Sequence, residues 1–116
     1  MSLYTDSHYQ AQAPLSPKVT CLEFRPCQRG TLRGFAKIKI VPWSLVVDGV
    51  ALHAKGDRQW AQLPSRPQLD REGNTLRDET TGKVKYAPIM EIDDKRLSWA
   101  LSDAIIEAVA RKAVAQ

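Results

Sequence analysis

Cysteine and histidine are scarce in this chain, with two of each among 116 residues. Cys21 and Cys27 form no CxxC pair, and His8 and His53 lie far apart. A zinc site draws on clustered Cys and His donors at short spacings, so no metal site and no cofactor are expected. A disulfide is not expected in a reducing compartment. Long apolar runs are missing as well, since none approaches the roughly 18 residues that span a bilayer. The opening MSLYTDSHYQAQAPLSP lacks the basic start and apolar stretch of a secretory signal. The expectation is a cytoplasmic protein without membrane contacts. There is no Gly-rich phosphate loop and no serine in a GxSxG setting. The carboxylates Asp48, Asp57, Asp70, Asp78, Glu91, Asp93 and Asp94, with His53, show no spacing that marks a catalytic centre. No enzyme is expected.

What is present is ordinary in amount and uneven in placement. The apolar fraction of 43% and charged fraction of 26% are those of a globular domain, and the length suits one core. Net charge is +4, and its distribution says more. From Lys18 to Trp60 there are eight basic residues against three acids, whereas from Ala61 onward nine face nine. The positive charge lies in the first half of the folded region, as an anionic partner would require.

The segment Leu32 to Ile40, LRGFAKIKI, reads as a β-strand with two different faces. Side chains alternate across a strand, so Leu32, Gly34, Ala36, Ile38 and Ile40 share one face. Arg33, Phe35, Lys37 and Lys39 share the other. Cations neutralise phosphates and an aromatic ring stacks on a base, so the second face suits a nucleic-acid strand. The plainer reading is a solvated sheet surface with a stray phenylalanine.

Around it, the chain falls into recognisable pieces. Residues 1–17 are polar and aperiodic, ending in Pro14 and Pro17, and read as a flexible arm before a single domain over residues 18–116. Val19 to Arg25 alternates as a strand, with Val19, Cys21, Glu23 and Arg25 opposite Thr20, Leu22 and Phe24. The turn PCQRGT adds Arg29 beside Arg25 as phosphate contacts. Leu45 to His53 is a third strand, with a bulge or kink at Asp48 and Gly49. Arg58 to Pro64 is a fourth, on which Arg58 and Trp60 share a face. Trp60 is the less secure site residue, since a lone tryptophan in a strand more often packs in a core. Ser65 to Lys83 is rich in turn formers, and its length argues for a short hairpin or a functional role. Val84 to Ile92 reads as a last strand that Pro88 confines to an edge or bulge.

Asp93 or Asp94 caps a helix predicted to run to about Ala113. Its stripe is Leu97, Leu101, Ala104, Ile105 and Ala108. Trp99, Ile106, Val109 and Ala110 widen the apolar surface beyond that stripe. The width points to a second subunit, or else to a helix lying deep against its own sheet. Arg111 and Lys112 complement the helix dipole. The order of elements gives an α+β fold, a curved antiparallel sheet of four to five strands followed by one long C-terminal helix.

Several of these features together resemble the stage V sporulation protein G family. They are a first strand ending in Arg25, TLRGFAKIKI, LVVDGVAL with its central Asp, and QLPSRPQLDREGNTLRDE. In the last of these, Leu63, Pro64, Ser65 and Arg66 occupy the family's small apolar, Pro-Ser-basic positions, followed by Gly73 and the pair Arg77 and Asp78. Ala87, Pro88 and Ile89 are similar to its strand leading into the helix. The likeness covers about residues 18–110. The chain departs from it in its N-terminal arm, a longer segment between Ser65 and Asp78, and GKVKY before the last strand. The resemblance implies a small α+β homodimer built partly by strand pairing, and nucleic-acid binding linked to regulation. It also implies a role in target choice for the helical end, where Arg111 and Lys112 stand. At the level of architecture, a curved sheet with a dimerising helix also resembles the single-stranded-DNA-binding transcription cofactor fold.

The sequence therefore predicts a homodimeric nucleic-acid-binding protein that prefers single strands of DNA or RNA. Arg25, Arg29, Arg33, Lys37, Lys39 and Arg58 are the expected phosphate contacts, and Phe35 and Trp60 the expected stacking residues. The alternative is a protein-interaction or regulatory module working through residues 65–83 and the helix.

Overall fold

The computed structural model describes residues 17–115, so the arm expected over residues 1–17 lies outside the described residues except for Pro17. Four strands, β1 (Lys18–Arg29), β2 (Leu32–Val41), β3 (Leu45–Lys55) and β4 (Arg58–Gln62), form an antiparallel sheet in sequence order. A small second sheet pairs β5 (Ser65–Pro67) with β6 (Tyr86–Pro88), and the helix α1 (Lys95–Ala115) follows. The α+β class read from the sequence is the class observed.

One face of the four-stranded sheet carries the core. Val19, Cys21, Ala36, Ile38, Ile40, Val47, Val50 and Leu52 are buried there against Leu101, Ile105 and Ala108 of α1. Ile38 and Ile105 are essentially fully enclosed, and each contributes roughly 1.5–3 kcal/mol by leaving water. Burial also pushes the Cys21 thiol above its usual range. On β2 the expected alternation holds from Gly34 to Ile40. Gly34 is required by a close approach, because a β-carbon there would lie 2.5 Å from the Phe24 ring and 2.6 Å from the Arg25 carbonyl oxygen.

Four register shifts decide which side chains face which way. On β1 the register shifts between Cys21 and Glu23, so Leu22 is an extra residue. Alternation along Val19 to Arg25 therefore breaks. Phe24 packs on the core with Val19 and Cys21, while Glu23 and Arg25 pair with Lys37 and Phe35. On β3, Asp48 and Gly49 together oppose Lys37, as the bulge read from their sequence predicts. Gly49 takes the left-handed φ of 85° that this bulge needs. The third lies at Arg33, between the Leu32–His53 and Gly34–Leu52 pairs, and the fourth on β1, where Cys27 and Gln28 together oppose Arg33.

The helix is fastened to both edge strands. Asp94 caps it, its Oδ1 accepting the Leu97 N–H at 3.1 Å. Ser102 Oγ accepts the Ala61 N–H of β4 at 2.8 Å, and the Arg111 guanidinium donates to the Val19 carbonyl of β1 at 3.3 Å. Ile106 and Val109 pack on the same core, so the chain itself covers part of the wide apolar surface. Trp99 stays 65% exposed and Ala110 is exposed too.

The expected last strand, Val84 to Ile92, shortens to Tyr86–Pro88 and joins β5 instead of the main sheet. Pro67 and Pro88 lack the N–H that a further strand would need, so this sheet stops at two strands. Between them the chain forms an arm held by backbone hydrogen bonds. Gln68 donates to Lys85, Leu76 to Gln68 and Lys85 to Leu76, at 2.8, 2.9 and 2.9 Å. Two aspartates close its loops. Asp70 Oδ1 accepts the N–H groups of Glu72 and Asn74, and Asp78 Oδ1 those of Thr80 and Thr81. No side chain from Ser65 to Ile92 is buried.

Candidate nucleic-acid interface

Since α1 covers one face of the sheet, paired residues that alternate with the core must lie on the other. The register builds this outer face in rungs. Thr20, Lys39 and Val46 form one, and Glu23 and Lys37 the next. Arg25, Phe35, Ala51 and Gln62 follow, then Arg29, Leu32, His53 and Trp60, then Lys55 with Arg58. Seven of the eight residues named from sequence meet here: Arg25, Arg29, Phe35, Lys37, Lys39, Arg58 and Trp60. Phe35 is the aromatic ring at the centre, on an inner strand with a cation on each side along β2 or across to β1.

Arg29, the last residue of β1, is exposed beside the β1–β2 turn and joins the face through its pairing with Leu32 in the rung of His53 and Trp60. One named residue sits elsewhere. Arg33 leaves the face, because the bulge at its position turns it toward the helix side of the sheet. There it lines a cleft with Phe24, Leu52, Ile106 and Val109. Its guanidinium donates to the Gly30 and Leu32 carbonyls at 3.0 and 3.3 Å.

The charge on the outer face is mixed at its middle. Arg25 lies 4.0 Å from Asp48 and Glu23 is paired with Lys37 across strands. Both members of the Arg25–Asp48 pair are more than half exposed, so the contact stabilises the fold little and yields easily to a phosphate.

Trp60 is already engaged within the chain. Its ring stacks on His53 with centroids 5.3 Å apart and planes 7° from parallel, and the Arg58 guanidinium lies 5.6 Å from its centre. His53 Nδ1 in turn shares a 2.9 Å hydrogen bond with Thr31 Oγ1. This cluster leaves Trp60 half-buried and occupies ring surface that a base would use.

Sequence reasoning passed over Trp43. It sits in the turn between β2 and β3, after the cis Val41–Pro42 peptide and before Ser44 at φ 55°, and it is 77% exposed. Val41, Leu45 and Val46 beside it are exposed as well. The signal was available, since a tryptophan between proline and serine at a strand end has no core to enter.

Among the described residues, no three His, Cys, Asp or Glu side chains converge on a possible metal position. A cleft of about 370 Å³ lies between β4, the base of the arm and α1. Leu63, Met90, Ile92 and Leu101 line it, with Glu91 as its ionisable carboxylate. No described helix is long and apolar enough to cross a membrane. Comparison with protein-family models, curated proteins and solved structures yields no match to this chain.

Proposed function

We propose that this protein is a small homodimeric nucleic-acid-binding protein that prefers single strands and acts in the cytoplasm in regulation or DNA metabolism. The observation that carries the reading is the division of the sheet. All its fully buried side chains lie on the helix side, while Phe35 stands on the other among Arg25, Lys37 and Lys39. A flexible single strand can lay its bases against such a surface and its phosphates along the cations. The resemblance to the stage V sporulation protein G family supports the same reading. The role assigned is binding without catalysis.

The test is fluorescence anisotropy with single- and double-stranded oligonucleotides across a salt series. Binding is expected to favour the single strand and to weaken steeply with salt. Phe35→Ala is expected to cost about 1–3 kcal/mol, the worth of one stacked base. If both Phe35→Ala and the double variant Lys37→Ala/Lys39→Ala bind as the parent does, the outer face is not the site.

A second reading is a protein-interaction module. It is favoured by Leu69, Tyr86, Ile89 and Trp99, which are between 58% and 65% exposed on the arm, its base and the helix. A partner that stays bound after nuclease treatment supports it. Sedimentation at several concentrations tests the homodimer, which would use the helix or β1, the edge strand among the described residues.

A further inference from the structure

Of the three tryptophans, Trp60 is stacked on His53 and Trp99 lies on the first turns of α1, leaving Trp43 as the one at an end of the outer face. Its surroundings are cationic. Lys39 is in the rung beside it, paired with Val46 and Thr20, and Lys18 is paired with Val41. On the opposite, helix-covered face of the same end of β1, Arg111 and Lys112 line a cleft with Val19 and Cys21. Glu107, the acid nearest in the helix sequence, is paired with Arg111. The stretches 18–22 and 39–47 contain no acid at all. The middle of the face, by contrast, interleaves Glu23 and Asp48 with its cations. Positive charge is thus least opposed where the most exposed aromatic ring among the described residues stands.

We propose that Trp43 is a base-stacking residue of this protein, with Lys39 and Lys18 holding the phosphates on either side of the stacked nucleotide. The proposal rests on the nucleic-acid reading above and gives Phe35 a second stacking partner at the β2–β3 turn in place of Trp60. A second copy of the chain is the poorer occupant, because a two-fold contact through this patch would set its lysines against themselves. A nucleic-acid strand meets the same cations with opposite charge. It can also run on past the Lys39 and Lys37 rungs to Phe35.

The experiment uses the full chain and a labelled single-stranded oligothymidylate at low salt, reading anisotropy and intrinsic tryptophan emission together. Trp43→Ala is expected to weaken binding by about 5- to 150-fold, and Trp43→Phe by less, since a smaller ring still stacks. Bound strand is expected to quench emission in the parent and in Trp99→Phe, and to quench it far less in Trp43→Phe. Unchanged circular dichroism shows that each variant is folded. Strand binding with undiminished affinity and quenching in the Trp43 variants overturns the proposal while leaving the outer-face reading intact. Loss of self-association instead, or loss of binding to phosphatidylserine vesicles alone, overturns it in favour of a second copy or a lipid surface. Absence of strand binding by the parent overturns both readings.

Discussion

Gly34 shows how much one missing atom controls. A β-carbon at this position collides with the edge of the Phe24 ring and with the backbone oxygen of Arg25. The ring has some freedom to turn, but the carbonyl is fixed in the β1–β2 pairing. Gly34→Ala is therefore expected to destabilise the fold by about 1–3 kcal/mol, measured as a shift in urea midpoint at constant slope. The alternation of LRGFAKIKI already put Gly34 with Ala36, Ile38 and Ile40, and the outer placement of Phe35, Lys37 and Lys39 was legible in the same pattern. The placement of Arg33 was not. A bulge depends on the partner strand, so a one-strand reading continued the alternation one residue too far. Trp60 was half legible: its face was right, but its engagement by His53 and Arg58 exists only once β3 and β4 are paired.

At the scale of elements, the helix was read well because both of its signals are local. A 3.6-residue stripe and an aspartate before it need no knowledge of the rest of the chain. Asp94→Ala removes the acceptor for the Leu97 N–H and is expected to cost about 0.5–2 kcal/mol, seen as a lower melting temperature. The arm was read poorly, since its form comes from hydrogen bonds between three passes of chain and not from any period. Its second loop adds a pH dependence. The N–H groups of Thr81 and Thr80 hold the Asp78 carboxyl below the usual carboxylate range. A depressed folded-state pKa stabilises the loop fully above the ordinary carboxylate pKa, and that support fades as pH falls through the lowered value. Acid titration followed by NMR is expected to move the Thr80 and Thr81 amide signals together at that lowered pKa. Asp78→Asn should keep the loop closed, because its side-chain oxygen still accepts, and should abolish the titration.

At the scale of the whole molecule, stability and binding are divided between the two sides of one sheet. The core needs the helix side, so substitutions confined to Phe35, Lys37 and Lys39 should lower affinity while leaving the unfolding midpoint within about 0.5 kcal/mol of the parent. The arm needs neither side. It contributes no buried side chain, yet it is the covalent link between β4 and α1. Trypsin should find Arg71 at its tip long before it reaches a cation of the paired strands. The cut would separate the sequence into two fragments, one carrying β1 to β4 and the other carrying α1. Those fragments should stay together, since Leu101, Ile105 and Ala108 still fill the sheet's apolar face and the Ser102 and Arg111 fastenings are untouched. A nicked protein that migrates as one species under native conditions and as two in denaturant is the expected result. The chain would then be a natural split protein, whose halves could be made separately and rejoined by mixing.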